Sequence, residues 1–385
     1  MTVSPNRRAT GLFTIFLVAV VVAGVFVARS AQTAVLESQS GSVSEIILDP
    51  NAAGFRAFTD ATPTALVIHT AVSATGAELL GATILTPADE GSGGTVVTVP
   101  ATTVAVEQDR PLADVFASEG LDATVDRLAE LIGAGFSDVV VLDASSWTSL
   151  MREDLPLQLT LATDLVEPDG DNTTVILGAG TSDYQLLDVA RIASHRNPSE
   201  PLLGVALRQQ EIWRSWISRT AGADERPDLF ELETGFSGVI GALASGEVSY
   251  RVIPTTTASQ EPPEATQYLA NVADVRELFA AIVPFPEPVV PGDRPSVLLL
   301  DSTLGELDRV QFVQAITLAG GRVTILGNTD GGGETVNRVQ VHDEAGAELA
   351  AALADQLGAG EPEQVPLVDA TTSVTVIMAE PLDGP

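Results

Sequence analysis

An uncharged apolar run near the N-terminus restricts what this chain can fold into. Residues Gly11–Ala28 (GLFTIFLVAVVVAGVFVA) carry no charge and begin just after Arg7 and Arg8. A helix of about 18 residues is near the minimum that crosses a hydrocarbon core roughly 30 Å thick. The arginines favour a cytoplasmic N-terminus, so the run predicts a single-pass protein of the cell membrane with most of the chain extracytoplasmic. A signal peptide cleaved near Ala28–Ala31 is the alternative, and it leaves most of the chain on the same side.

The composition excludes several classes of function. All 19 basic residues are arginines, and against 52 acidic residues they give a formal net charge of −33, which repels nucleic acid. Cysteine is absent, so disulfides and thiolate sites are excluded. The three histidines, His69, His195 and His342, are far apart in sequence. This spacing does not indicate a zinc site, and we expect no metal.

The chain divides by composition into four segments. We expect residues 1–35 to hold the cytoplasmic stub, the membrane anchor and a tether, and residues 36–282 to form the first folded domain. Five prolines lie between positions 284 and 295, so residues 283–295 are predicted to be a stiff extended linker. Residues 296–385 then form a second, smaller domain.

Residues 36–282 show the alternation of an α/β domain. Apolar stretches at Ala65–His69, Ala82–Thr86 and Thr95–Val99 predict strands. Leu121–Ile132 has one apolar helical face and leads into Val139–Leu142, which predicts a helix followed by a buried strand. Further on we expect a strand at Thr174–Leu177 and helices at Tyr184–Ala193 and Leu203–Thr220.

Residues 296–385 predict a compact α+β domain of order β-α-β-β-α-β. Its predicted elements are Ser296–Leu300, Glu306–Leu318, Val323–Leu326, Val336–Val341, Glu344–Leu357 and Ser373–Met378.

Short motifs give weak signals for function. Gly178-Ala179-Gly180 lacks the third glycine of a dinucleotide turn, and Ser145-Ser146 lacks the elbow of a serine hydrolase. Asp330 and the glycines after it predict a loop. The helix with Arg208, Arg214 and Arg219 could bind phosphate, but its arginines could equally pair with local acids such as Glu211, Asp224 and Glu225.

The order of segments resembles the LytR-CpsA-Psr family of cell-envelope proteins. The stretches that carry the resemblance are TVVTVPATTVAV (95–106), LDATVDRLAELIGAGFSDVVVLDASSWTSLM (121–151) and ASHRNPSEPLLGVALRQQ (193–210). Residues 296–380 resemble the LytR C-terminal domain that often follows, most closely in LLLDSTLGELDRVQFVQAITLAGGRVTILGNTD (298–330). The resemblance implies a three-layer α/β/α first domain. It also implies transfer of glycan polymers from a polyprenyl-phosphate carrier to the cell wall, using magnesium, arginines and aspartates around a pyrophosphate.

The charged positions of that family are mostly lost here. Relative to the family pattern, Ala101 stands in place of an arginine, Thr102 in place of an aspartate, and Ala82-Thr83 in place of an upstream Asp-Thr pair. Further departures are Ser194 in Ser194-His195-Arg196, Pro201-Leu202 and Val205. Only Arg196 and Arg208 remain as candidate phosphate-binding residues. Loss of several phosphate-clamping groups removes transition-state stabilisation.

We therefore expect a protein of the cell envelope that does not catalyse transfer: a scaffold, or a module that binds polyprenyl lipid or wall polymer, without a cofactor. The alternative is an active phosphotransferase that uses Mg²⁺ and a rearranged site built on Arg196, Arg208 and acids such as Asp89. A regulator or a purely structural interaction protein is a third class. Its protein partners within the envelope are not indicated by the sequence.

Overall fold

A computed structural model describes residues 47–73, 76–88, 91–105, 110–151, 156–170, 172–221, 235–258, 266–289, 294–305, 307–331, 333–366 and 372–382. The predicted membrane anchor Gly11–Ala28 lies outside these residues. Among the helices of the described ranges, none combines the length and the apolar character needed to span a bilayer. Residues Asp49–Pro385 form one compact unit, so the division into two domains stays a prediction.

The described chain contains strands throughout its length. Their bounds are β1 Arg56–Phe58, β2 Ala65–Ser73, β3 Gly76–Pro87, β4 Gly94–Pro100, β5 Thr103–Ala105, β6 Asp138–Leu142, β7 Leu157–Leu161, β8 Leu165–Asp169, β9 Asn172–Leu177, β10 Gly180–Tyr184, β11 Val248–Val252, β12 Thr255–Ala258, β13 Gln267–Ala270, β14 Ser296–Asp301, β15 Arg322–Asn328, β16 Arg338–Val341, β17 Glu363–Gln364 and β18 Val374–Met378.

Helices separate many of these strands. They are α1 Leu112–Glu119, α2 Leu121–Ile132, α3 Ala144–Met151, α4 Leu186–Ser194, α5 Leu202–Ala221, α6 Gly235–Ala244, α7 Val272–Ile282, α8 Arg309–Leu318 and α9 Ala347–Gln356.

A five-stranded mixed sheet of order β11-β4-β3-β2-β6 is central to residues 65–283. Strands β2, β3 and β4 are antiparallel neighbours, while β6 runs parallel to β2 and β11 parallel to β4. Because alternate strand residues face opposite sides, Leu66 and Ile68 enter one apolar core and Ala65 and Val67 enter the other. Helices cover both faces, with α1, α2 and α7 on the first and α3, α4 and α6 on the second. This is the α/β/α arrangement that the family resemblance implies.

Smaller sheets surround this centre. Strands β7 and β10 form one antiparallel pair and β8 and β9 form another, while β13 lies between β12 and β5. Gly180–Tyr184 is thus a strand. The sequence instead predicts a helix that begins at Tyr184, shortly after Gly178–Gly180. The helix α4 begins at Leu186, because residues 180–184 pair with β7 at a distance in sequence that local patterns do not report.

Strand β6 differs from its predicted environment. Val139–Leu142 is predicted to be buried, but β6 is an edge strand and Val139 and Val141 are 41% and 40% exposed. The apolar sequence predicted the strand correctly. Its position at the edge is set by the order of strands, which the sequence of one strand does not determine.

A second sheet forms the C-terminal part, with the order β1-β15-β14-β18-β16-β17. Helices α8 and α9 and the strand residues facing them form its own apolar core. The predicted β-α-β-β-α-β elements are all present, although α8 begins at Arg309 and α9 at Ala347, later than expected. Glu306, the predicted first residue of the α8 helix, lies outside the described ranges.

Strand β1 lies within residues 36–282, yet it belongs to the C-terminal sheet. Arg56–Phe58 pairs antiparallel with β15, where Ala57 faces Leu326. The Asn328 side chain also donates to the carbonyls of Pro50 and Ala52, both at 2.8 Å. The sequence analysis assigned no strand to these residues.

The proline-rich segment is held against the first part of the chain over its described residues. The Phe285 carbonyl accepts a hydrogen bond from Thr62 N at 2.7 Å, and the Glu287 carbonyl accepts one from Gly135 N at 2.7 Å. These bonds fix the start of the predicted linker to the body of the unit, in addition to the stiffness that its prolines provide.

Candidate functional site

Arg208, one of the two candidate phosphate-binding residues, is buried in helix α5. Its Nη1 pairs with the Glu200 carboxylate, its Nη2 donates to the His195 carbonyl at 2.5 Å, and its Nε donates to the Ile192 carbonyl at 3.4 Å. The side chain is only 9% exposed. Because a guanidinium stays charged in a protein, this burial depends on the paired carboxylate.

Arg196, the second candidate, lies in the loop between α4 and α5 and meets the same glutamate residue. Its Nε donates to the Glu200 carbonyl at 3.1 Å, and its Nη1 pairs with Glu78 of β3 at 3.1 Å. Here the side chains are more open, at 30% exposed for Arg196 and 40% for Glu78. The structure therefore brings the two predicted arginines together, and it adds two carboxylates that the sequence analysis did not single out.

Local geometry holds Glu200 in place. Its second carboxylate oxygen accepts a hydrogen bond from Asn197 N at 2.9 Å. A Cβ added at Gly204 would lie 3.0 Å from the Glu200 carboxylate, so a glycine in the first turn of α5 lets the carboxylate approach the helix. Asn197 is itself anchored, because its side chain accepts from Val166 N and donates to the Asp164 carbonyl, both at 2.8 Å.

We refer to Glu78, Arg196, Glu200 and Arg208 as the arginine–glutamate cluster. Its formal charges cancel, with two guanidinium groups and two carboxylates. An anionic phosphate would therefore meet guanidinium groups whose charge two carboxylates already balance, and the carboxylate at Arg208 is only 11% exposed. The cluster as folded is therefore a structural ion-pair network between β3, the α4–α5 loop and α5.

Uncharged residues fill the positions where the family resemblance implies charged ones. Ala82 and Ala101 are at most 2% exposed, Thr102 is half-buried, and Thr83, which follows Ala82, is fully buried. Thr98, which is also fully buried, accepts a hydrogen bond from Gln210 Nε2 at 2.9 Å. These side chains pack into the sheet and its helices and offer neither a cation nor a carboxylate to a ligand.

A histidine and two tryptophans lie beside these threonines. His69 Nε2 is 2.8 Å from Thr83 Oγ1, and the imidazole ring stacks on Trp147 with centroids 5.5 Å apart. Trp213 packs against both rings, 6.4 Å from His69 and 5.2 Å from Trp147. Burial lowers the pKa of His69 to about 3, so this imidazole is neutral at pH 7.

The magnesium that the family resemblance implies has no preformed site among the described residues. Within the part of the chain that the structure describes, no group of three or more histidine, aspartate or glutamate side chains is placed to hold a metal ion. Asp89, the acid considered for a rearranged site, lies outside the described residues. The carboxylates of the arginine–glutamate cluster are already paired with arginines.

Two cavities lie away from the cluster, between the edge strand β11 and helix α7. One of about 440 Å³ is lined by residues that include Thr95, Ser249 and Ile282, and one of about 620 Å³ by residues that include Arg251 and Glu277. Neither Arg196 nor Arg208 lines them.

The other sequence motifs have structural roles. Asp143 accepts hydrogen bonds from Ser146 N at 2.7 Å and from the Ser145 and Ser146 hydroxyls at 2.8 Å, which makes it the N-cap of α3. These bonds, chiefly the one from Ser146 N, lower the pKa of Asp143 to about 2. Arg214 pairs with Glu211 at 2.7 Å, as the alternative interpretation of that helix predicts, whereas Asp224 and Glu225 lie outside the described residues.

Comparison with known proteins finds similarity in structure. No protein-family model matches the chain, and no curated protein matches it. The solved structure of B. subtilis TagV is similar with a TM-score of 0.45 and 12% identity, over 58% of this chain and 98% of that one. TagT bound to LIIa-WTA is similar with a TM-score of 0.43 and 15% identity, over 62% of this chain and 92% of that one.

A third similar structure is the LytR-CPS2A-psr family protein YwtF (TagT) with bound octaprenyl pyrophosphate lipid. Its TM-score is 0.42 at 15% identity, over 63% of this chain and 94% of that one. The LytR-CpsA-Psr family, which the sequence resembles, is thus also the family of this structurally similar protein. TM-scores below 0.5 carry neither activity nor ligand over to this chain, and the resemblance of residues 296–380 to a LytR C-terminal domain stays a prediction.

Proposed function

We propose that this chain is a membrane-anchored, extracytoplasmic protein of the cell envelope that acts in cell wall assembly without catalysing transfer, as a scaffold or as a module that binds polyprenyl lipid. The observation that carries the proposal is the pairing of both candidate arginines with glutamates. Arg208 is bonded through all three guanidinium nitrogens, and Arg196 is bonded to Glu78 and Glu200.

Electrostatics supports the non-catalytic part of the proposal. Transfer of a phosphoryl group requires cations or a metal ion that neutralise the developing charge. The arginine–glutamate cluster has no net formal charge, and the buried threonines Thr83 and Thr98 are neutral. Removal of a single donor from such a site commonly costs about 10²–10³-fold in rate, and this chain has lost several.

Binding of an apolar lipid does not need those charges. A polyprenyl chain is held by apolar contact area, which contributes roughly 25 cal/mol per Å² buried. Membrane anchoring is proposed because of the apolar run Gly11–Ala28, and lipid binding is proposed because of the order of segments in the sequence.

The proposal is tested with the full chain purified from membranes. Polyprenyl phosphates are sought by extraction and mass spectrometry, and glycan transfer from a polyprenyl pyrophosphate donor is measured with and without Mg²⁺. We expect no Mg²⁺-dependent transfer above that of an Arg196→Ala/Arg208→Ala double variant. Arg214→Ala, in the same helix as Arg208 but 49% exposed and paired with Glu211, is the matched control. Mg²⁺-dependent transfer that the double variant loses and the control keeps would overturn the proposal.

An active phosphotransferase with a rearranged site is the second candidate, and the convergence of Arg196 and Arg208 at Glu200 favours it over other enzymes. This function requires Glu78 or Glu200 to release an arginine when a phosphate binds. It therefore predicts that Glu78→Gln, which frees Arg196 without opening the core, tightens binding of inorganic pyrophosphate severalfold. Unchanged pyrophosphate binding by Glu78→Gln in calorimetry excludes this candidate as formulated.

A further inference from the structure

Strand β11 has an open edge beside helix α7. Among the described strands it is the last one of the five-stranded sheet, with β4 as its neighbour on the other side. The Glu247 carbonyl accepts a hydrogen bond from β4, and Ile253 N donates one to β4, both at 2.9 Å. Backbone groups alternate in direction along a strand, so those of Tyr250 and of its even-numbered neighbours point away from β4, towards the open edge.

The two cavities between β11 and α7 adjoin each other along this edge. Ser249 lines the cavity of about 440 Å³, Arg251 lines the cavity of about 620 Å³, and Ala281 of α7 lines both. Ser249 and Arg251 are two residues apart in one strand, so their side chains lie on the same face of the sheet. Tyr250, between them, faces the opposite core and lies under the Arg214 guanidinium at 4.7 Å. We refer to the two cavities together as the β11–α7 groove.

The β11–α7 groove is acidic with an apolar wall. Glu247 lines its first cavity, and Asp274 and Glu277 line its second. Within the described ranges none of these three carboxylates forms an ion pair. With the Arg251 guanidinium, the three carboxylates give the lining a formal charge of −2. A segment that fits this groove therefore carries positive charge, and it places an apolar side chain against α7.

We propose that the β11–α7 groove binds an extended, positively charged segment of a partner protein, which adds a strand to the open edge of β11. In this mode of recognition the backbone hydrogen bonds provide affinity and alternate side chains provide specificity. A second copy of this chain is disfavoured as the partner, because each copy has a formal net charge of −33.

The positions of the acids predict the spacing of the basic residues in the partner segment. Glu247 lines one cavity, and Glu277 lines the other together with Arg251, which is four residues after Glu247 in the chain. The segment should therefore have lysine or arginine at positions i and i+4, which lie on one face of a strand. The residue at i+2 shares that face and should be small or apolar, because it lies beside Ala281.

The spacing is tested with the full chain and two dye-labelled peptides of the same composition. Acetyl-Thr-Arg-Val-Ala-Val-Arg-Thr-amide has its arginines at i and i+4, whereas acetyl-Thr-Arg-Val-Ala-Arg-Val-Thr-amide has them at i and i+3, on opposite faces of a strand. Both peptides are attracted equally by the net charge of the chain, so a difference in affinity reports the groove. We expect the first peptide to bind up to about fivefold more tightly in fluorescence anisotropy, because it forms one more exposed ion pair.

Addition of a strand is tested by N-methylation of the first peptide. Residues whose side chains enter the groove turn their N–H away from β11, and the residues between them turn it towards β11. N-methylation of the valine at i+1 should therefore abolish binding, whereas N-methylation of the alanine at i+2 should leave most of it. Equal effects of the two N-methyl groups would overturn the proposed strand addition.

Variants of the chain locate the bound peptide. Ala281 and Glu277 are exposed, so their substitution should leave the melting temperature unchanged. Ala281→Trp fills both cavities and should abolish binding, and Glu277→Gln should weaken it up to about fivefold. Glu348→Gln removes an exposed carboxylate from α9 and is the matched control, which should bind as the unsubstituted chain does.

The proposal is overturned if neither peptide binds, if the two arginine spacings bind equally, or if Ala281→Trp leaves binding unchanged. Analytical ultracentrifugation of the unsubstituted chain tests the alternative occupant. A dimer that the first peptide dissociates would assign the groove to a second copy and would also overturn the proposal.

Discussion

Substitution of Glu200 by glutamine should unfold the protein at a markedly lower temperature, although it changes one oxygen atom to nitrogen. The Glu200 carboxylate pairs with Arg208, and the two side chains are 11% and 9% exposed. After the substitution, Arg208 keeps its bonds to the His195 and Ile192 carbonyls. It loses the charge that balances it.

The expected magnitude follows from burial. Loss of one partner of a buried ion pair costs about 3–5 kcal/mol, because the remaining charge is left without compensation. We take about 3 kcal/mol, the lower end, since two carbonyls still accept from the Arg208 guanidinium. Each kcal/mol lowers the melting temperature by about 2–4 °C for 150–250 residues and by less for a larger unit such as Asp49–Pro385, so the melting temperature should fall by up to about 6 °C.

Glu78→Gln is the matched control. It breaks the ion pair with Arg196 in the same cluster, but these side chains are 40% and 30% exposed. A pair this open contributes about 0–1 kcal/mol, so the melting temperature should fall by less than about 2 °C. Both variants are compared with the unsubstituted chain by calorimetry or circular dichroism at one salt concentration. If Glu200→Gln lowers the melting temperature no more than Glu78→Gln does, burial is not what makes the Arg208 pair important.

Three further predictions concern other parts of the molecule. Burial lowers the pKa of His69 to about 3, so between about pH 6.5 and pH 3 the unfolded chain binds a proton that the folded chain does not. The free energy of unfolding should therefore fall by about 1.4 kcal/mol per pH unit as the pH is lowered through this range. Denaturant titrations at several pH values should show this slope, and His69→Gln should remove it. Asp143→Ala removes the N-cap of α3 and should lower the free energy of unfolding by about 1 kcal/mol at pH 7. Since the pKa of Asp143 is lowered to about 2, this loss of unfolding free energy should shrink as the pH falls from about 4 towards 2. A loss that does not change with pH would contradict the assignment of Asp143 as the N-cap. Gly327→Ala should displace β1, because a Cβ there overlaps the Phe55 carbonyl; amide hydrogen exchange at residues 55–59 should speed up while exchange at β4 stays unchanged.

Local sequence patterns were sufficient for elements whose start and end are set by neighbouring residues. Helix α2 has the bounds Leu121–Ile132 that its apolar periodicity predicts, and it ends at Gly133, whose φ of +72° suits glycine. The elements of the C-terminal sheet follow their predicted order for the same reason. The burial of β6 was predicted wrongly because exposure at a sheet edge depends on which strands lie beside it.

The candidate site was only partly accessible from the sequence. Arg196 and Arg208 could be selected because they match cations of the family that the sequence resembles, yet their partners could not. Glu78 is 118 residues away from Arg196, and no local spacing connects them. Glu200 is eight residues before Arg208, beyond the reach of pairing within one helix, and it reaches the arginine only because the loop at Asn197 turns back onto α5. His69 gave no signal, since a lone histidine in an apolar segment is usual.

The pairing of β1 with β15 has a consequence for the order of events in folding. The Arg56 guanidinium bonds to the Asn328 carbonyl across 272 residues of sequence, and the cost of closing a loop grows with its length. During synthesis residues 55–59 must therefore wait, with an unpaired strand edge, until nearly the whole polypeptide has emerged. Strand β1 is thus synthesised early but pairs late, and it ties the N-terminal side of the described unit to the C-terminal sheet.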